Sequence, residues 1–303
     1  MTLRYSFFLL LVVGQASAKD YVIGGQNVKP TDPIQASTVG IFDPSPDGKS
    51  GALCTGSLIR KDMAVTAAHC LSNQGAKPTL IFGPDLHSPS APRREVDAVA
   101  INPKWKTHAG KGMDQGDIAL VKFSGGLPKT YKTIPTVSSD KDIKAGSEVT
   151  LAGYGISNAQ TKTGAGVLRR ADVSVLKNRL GKSEMILDQS RGHGACHGDS
   201  GGPAFLRQGG KIALAGVTNR GYPSRAPDDC AHKSVYTKLP AYRSWIQKSE
   251  KKLEEAPAIS GVAKSHRLSS RRTLSKSFRR TSHKRPRTYL RVSRAKGSHH
   301  KRR

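Results

Sequence analysis

The chain has 303 residues, 36% of them hydrophobic, and 50 Lys and Arg against 22 Asp and Glu, a formal charge of +28. That length suits one large or two small domains with a substantial buried core. Nothing beyond the first 20 residues is apolar for long enough to cross a bilayer, so no later helical anchor is expected.

Residues 1–18 have the form of a secretory signal peptide. Arg4 precedes an apolar run from Phe7 to Val13, and Ala16-Ser17-Ala18 supplies small residues for cleavage. The run is about half the length a spanning helix needs. Export implies an oxidising compartment, where Cys54, Cys70, Cys196 and Cys230 read first as bridges, with three connectivities open. From Tyr21 to about Lys248 short apolar runs recur: GSLI (56–59), MAVTAA (63–68), IALVKF (118–123), EVTLAGYG (148–155), ADVSVL (171–176) and KIALAGVT (211–218). Each is bounded by Gly, Pro, Asn or Asp and carries β-branched residues, the pattern of an all-β protein with closed or sandwiched antiparallel sheets. A helix is predicted over 240–256, since Pro240 suits a helix start and Tyr242, Trp245 and Ile246 share a face. Residues 251–303 hold 18 Lys and Arg against two Glu, +16 of the total charge. Segment 257–303 has few apolar residues and no period, so it cannot offset its ordering entropy and reads as a disordered cationic tail.

Attack on a carbonyl by a hydroxyl needs a base, an anion to orient the base, and N–H groups to hold the developing oxyanion. AVTAAHC offers His69 and GDIALVKF offers Asp117. GDSGGP offers Ser200 in a glycine-rich turn, where missing β-carbons let backbone N–H groups converge. Asp114 is the other nearby carboxylate, but it does not lead directly into the IALV strand. Singly, each of these residues reads as structural; together, in this order and with these flanks, they are specific.

The chain resembles the trypsin/chymotrypsin-like serine proteases over roughly residues 22–250, through TAAHC, DIAL and GDSGGP, supported by LCTGSLI and SVYTKL. The resemblance implies two antiparallel Greek-key β-barrels, roughly 22–130 and 131–240, with a C-terminal helix. It makes Ser200 the nucleophile, His69 the general base and then acid, Asp117 the orienting carboxylate, and the N–H groups of Gly198 and Ser200 the oxyanion hole. It pairs Cys54 with Cys70 and Cys196 with Cys230, and it needs no cofactor. A metal site built from His193, Cys196 and His197 lacks a second ligand pair at a familiar spacing. Val22-Ile23-Gly24-Gly25 matches the family's new N-terminus, whose ammonium would pair with Asp199. The residue before it is Tyr21 rather than Lys or Arg, so residues 19–21 form a short pro-segment that needs its own cut.

The resemblance places the residue six before the nucleophile at the base of the specificity pocket; here that is Gly194, followed by Ala195, and Gly221 and Ser234 match the positions of the pocket walls. No charge means no tryptic preference; an uncharged slot favours an apolar or aromatic side chain, worth about 1.5–3 kcal/mol on burial. Such an enzyme would cut after its own Tyr21. The rival reading takes His193, His197, Arg220 and Lys233 as cations selecting Asp or Glu. Arg220 departs from the family, which has Ser-Trp-Gly where this chain has Asn219-Arg220-Gly221. The tail is expected to gather on polyanionic surfaces or polymers, and its sparse aromatics, Phe278 and Tyr289, argue against a stacking platform for nucleic acid. The expected protein is a secreted or periplasmic monomeric endopeptidase acting on proteins or peptides; the alternative is a cationic binding protein retaining a protease fold.

Overall fold

The computed structural model describes residues 23, 25–47, 49–71, 77–223, 230 and 232–255. The signal peptide, the pro-segment 19–21, Val22 and the tail 257–303 lie outside them. The described strands are β1 (Gln26–Asn27), β2 (Thr38–Pro44), β3 (Gly51–Arg60), β4 (Met63–Thr66), β5 (Thr79–Ile81), β6 (Arg93–Ile101) and β7 (Ala119–Phe123). They continue with β8 (Glu148–Gly153), β9 (Arg169–Leu180), β10 (Glu184–Asp188), β11 (Pro203–Gln208), β12 (Lys211–Gly221) and β13 (Lys233–Lys238). Two short helices, α1 (Pro103–His108) and α2 (Arg243–Glu255), complete the set.

Every strand pairing is antiparallel, and the strands close into two six-strand barrels. The first runs β2-β3-β4-β7-β6-β5 and closes through β2 on β5. The second runs β9-β10-β13-β12-β11-β8 and closes through β8 on β9. Strand β1 precedes the first barrel in the chain yet pairs with β9 of the second.

The reason for closure is visible in IALVKF. Ile118, Leu120 and Val121 are all fully buried, although a strand presents alternate residues to opposite faces. Val121 and Phe123 point into the first barrel beside Leu80 and Phe82, whereas Ile118 and Leu120 join a separate cluster with Tyr154, Phe205 and Leu214 of the second barrel. The strand is apolar on both faces because one face fills a barrel and the other fills the seam between barrels. Within the first barrel Phe82 meets Tyr131 edge-on at 4.9 Å, a geometry worth about 0.5–1.5 kcal/mol beyond its buried area. The second barrel is filled by Val149, Leu151, Val173, Met185 and Tyr236.

The predicted helix begins as a 3-10 turn at Pro240–Tyr242 and becomes α-helical at Arg243. It buries Tyr242, Ile246 and Leu253 in the seam cluster, with Trp245 half-buried at its edge. Glu250 fastens it to the end of β3 through Arg60 at 2.8 Å, and Lys122 donates to the carbonyl of Leu253.

Candidate active site

His69 sits in a 3-10 turn directly after β4, and Asp117 directly precedes β7, the neighbour of β4 in the barrel. The two therefore emerge side by side from one end of adjacent strands. His69 Nδ1 lies 2.7 Å from Asp117 Oδ2, and the backbone N–H of His69 donates to Asp117 Oδ1 at 2.9 Å. The carboxylate is fully buried while the imidazole side chain keeps 29% exposure. When ionised, the carboxylate only accepts, so Nδ1 must supply the hydrogen of this pair and Nε2 is then the ring nitrogen left with a lone pair.

Asp114 goes elsewhere. Its backbone takes a left-handed conformation, φ 55°, and its carboxylate accepts from Lys182 N, Ser183 N and the Ser183 hydroxyl at 2.6–2.9 Å. It ties the loop before β7 to the turn between β9 and β10. Those donors hold its carboxyl below the usual range, although burial opposes them.

Ser200 lies in the turn before β11, on the second barrel, and that turn is packed against the first. The carbonyl of Ser200 accepts from Thr55 N at 2.9 Å, and Cys70 Sγ, one residue from His69, lies 3.5 Å from the same oxygen. Gly201 abuts Thr66 and Ala67 so closely that a β-carbon there would overlap them. The nucleophile candidate and the imidazole thus stand on turns from different barrels, and those turns pack together at the seam.

The peptide planes preceding Gly198 and Ser200 have a fixed direction. The carbonyl of His197 accepts from Ile156 N and that of Asp199 from Gly202 N, each at 2.8 Å. In a trans peptide the following N–H points the opposite way. The N–H groups of Gly198 and Ser200 are therefore turned away from those partners, and neither donates to a described residue. Gly198 has φ 96°, a region open to glycine and strained for any side chain. Between them the Asp199 side chain turns inward: Oδ1 accepts from Gly155 N and Oδ2 from Cys196 N, both at 2.8 Å. It is 2% exposed, and burial pushes its carboxyl up to about 6. Gly155 leaves room for it; a β-carbon there would collide with the carboxylate. Ile23 packs beside Ile156 and Cys196, and its carbonyl accepts from Gly194 N. The neighbouring Val22 lies outside the described residues.

The disulfides are Cys54–Cys70 and Cys196–Cys230, with Cα separations of 6.1 and 5.3 Å, the connectivity that the family resemblance implies. The sulfur of Cys196 is thereby committed, which removes the thiolate a metal site in HGACH needed.

Around the predicted pocket, Ala195 is buried, and Gly221 pairs with Ser234 across β12 and β13. A β-carbon on Gly221 would meet no described atom, whereas one on Gly194 would overlap the side chain of Gln189. Gln189 is a residue the sequence reading missed. Buried, it accepts from Ala195 N and donates to the carbonyls of Ala195 and Cys230. Ser234 is buried, with its hydroxyl beside the phenol of Tyr236. Arg220 is matched in charge: its guanidinium meets both carboxylate oxygens of Glu184, at 3.1 and 2.8 Å. Lys233 pairs in register with Asp188, whose carboxyl it helps to lower after the larger effect of Ser190.

Two barrels with an imidazole–carboxylate pair on one and a GDSGGP turn on the other invite comparison with known proteins. The family model for trypsin matches residues 22–246. The chain belongs to the trypsin family. This is a family of serine endopeptidases, hydrolases of peptide bonds. Among its relatives, granzyme M of Homo sapiens is 27% identical over 264 residues, covering 80% of this chain and 96% of that one. A chymotrypsin of Phaedon cochleariae is 28% identical over 245 residues, covering 75% and 81%. Among solved structures, neuropsin, a serine protease of mouse brain, shares the trypsin-family fold with a TM-score of 0.60 at 22% identity, over 75% of this chain and 98% of that one.

Proposed function

We propose that this trypsin-family chain is a secreted endopeptidase that uses Ser200, His69 and Asp117. The observation carrying the reading is the buried carboxylate held 2.7 Å from His69 Nδ1, which leaves Nε2 outside that pair, on a turn packed against the one that carries Ser200. The Ser200 hydroxyl attacks the scissile carbonyl while Nε2 takes its proton, and the tetrahedral oxyanion forms against the N–H groups of Gly198 and Ser200. The imidazolium, stabilised by Asp117, then gives that proton to the leaving amine, and the acyl group stays on Ser200. Water repeats the sequence and releases the acid. Labelling of processed protein with a serine-directed phosphonate tests this: an adduct on Ser200 is expected. No adduct would leave a cationic binding protein that only keeps the fold.

The preference before the scissile bond is for an apolar or aromatic residue. Gly194 and Ala195 bring no charge, and a β-carbon on Gly221 would meet no described atom, so an apolar side chain has room there. Selection of Asp or Glu loses support because Arg220 already faces Glu184. Cleavage of a peptide library after Phe and Tyr rather than after Glu and Asp is the expected result.

Maturation follows from the same preference. Signal removal after Ala18 leaves Lys19-Asp20-Tyr21, and self-cleavage after Tyr21 frees Val22. Its ammonium pairs with Asp199, compensating a carboxylate that burial otherwise penalises. If precursor carrying Ser200→Ala still acquires Val22 as its N-terminus, another protease makes the cut. The tail, +16 over 251–303, holds the mature enzyme to a polyanionic surface or polymer in a salt-dependent way.

A further inference from the structure

Beside His69 lies a cavity of about 470 Å³ that the catalytic steps above do not use. Trp105, Met113, Leu180 and Tyr222 give it apolar walls, and Arg220 forms part of its floor. Trp105 stands 6.2 Å from the His69 ring, centroid to centroid, and Met113, 53% exposed, presents its side chain at the same cavity.

A cation in such a floor would ordinarily draw a carboxylate. Here it is answered from below. Glu184 is 1% exposed and meets both terminal nitrogens of Arg220. One of its oxygens also accepts from Gln115 N and Asn219 Nδ2, and Arg220 donates further to the carbonyl of Gly112. The guanidinium is bound edge-on by these partners, so its charge is matched and its flat face is what remains to line a cavity.

We infer that Glu184 is a specificity-determining residue: by matching the charge of Arg220 it makes the cavity beside His69 a seat for a large apolar substrate side chain and closes it to acidic ones. This rests on the endopeptidase reading. An extended substrate running along Asn219–Gly221 alternates its side chains. With the residue before the scissile bond in the slot near Gly194, the second and fourth residues before it face the other way, toward this cavity. A substrate carboxylate there would have to share Arg220 with Glu184, two like charges on one cation.

The test compares kcat/KM for peptides that vary only at those two positions. Wild-type enzyme is expected to favour Phe or Leu over Asp or Glu by about tenfold, and Glu184→Gln, which uncovers the cation, to shrink that ratio by about tenfold. An unchanged ratio in E184Q, or a wild-type preference for acidic residues, overturns the inference. Should E184Q fold poorly, wild type alone decides. A matched floor keeps its ratio within about twofold from low to high salt, whereas a bare cation shows acidic selection that fades as salt screens it. Enzyme that takes the phosphonate label and cleaves without preference at these positions sinks the subsite alone. Protein that neither labels nor cleaves sinks the endopeptidase reading with it.

Discussion

Replacing Asp117 with Asn changes one oxygen for an NH2 group and little else in shape. In the native site both carboxylate oxygens accept, one from His69 N at 2.9 Å and one from Nδ1 at 2.7 Å, in a place with no exposure. An amide can satisfy only one of those donors. If its oxygen keeps the backbone N–H, its NH2 faces Nδ1, which must become an acceptor, and the proton moves to Nε2. The ring then has no lone pair for the Ser200 proton. The expected loss in kcat is about 10⁴-fold near neutral pH, the scale seen when this carboxylate becomes an amide in the trypsin family. The fold should survive, with a cost of about 1–3 kcal/mol for an ill-matched buried donor. The assay is peptide hydrolysis, with urea denaturation of the same sample. Asp114→Asn is the control. Its partners are Lys182, Ser183 and the Ser183 hydroxyl, so it should lower stability by about 1–2 kcal/mol and change kcat by less than about tenfold. D117N activity within tenfold of wild type, or D114N as damaging to kcat as D117N, refutes the assignment of roles.

Removing the Cys54–Cys70 bridge as C54A/C70A opens a loop of 16 residues and should cost about 3 kcal/mol in denaturant unfolding, with activity falling because the bridge flanks His69. For Asp199, the folded carboxyl titrates near 6 against an ordinary 3.8. The unfolded chain therefore releases its proton first as pH rises. This group's contribution to stability is full below pH 4 and is lost on the way to pH 6, by roughly 3 kcal/mol at most. Uncut S200A precursor should show that decline, and the same precursor with Asp199→Asn should not; equal slopes would count against it. Gly194→Asp alone should give a poor enzyme, because the new side chain collides with Gln189. With Gln189→Ser added, cleavage after Lys and Arg should rise at least about tenfold in a peptide library, and no gain would show that residue 194 does not face the pocket.

Much of the architecture can be read from runs such as IALVKF and KIALAGVT, because burial on one or both faces of a strand leaves a local apolar signature. The pair Gln26–Asn27 carries none; it is exposed and polar, and its place on β9 is set by backbone pairing alone. The choice of Asp117 over Asp114 is legible because only Asp117 leads directly into a strand paired with the one before His69. Gln189 and Glu184 are not legible. Each stands at an end of the β10 run or just past it, where a polar residue is ordinary, and each acquires its role from partners far away, Ala195 and Cys230 in one case, Arg220 in the other. Arg220 could be singled out by its departure from the family, but the sign of its effect depends on a carboxylate 36 residues distant.

Asp114 belongs to one barrel by sequence and to the other by its hydrogen bonds. A cleft assembled from two halves is aligned only as well as its seam, and here the seam is stitched at the rim, by Asp114 to Ser183 and by Gly112 to Arg220. The turns bearing His69 and Ser200 are thereby kept in register by polar contacts that neither side chain makes itself.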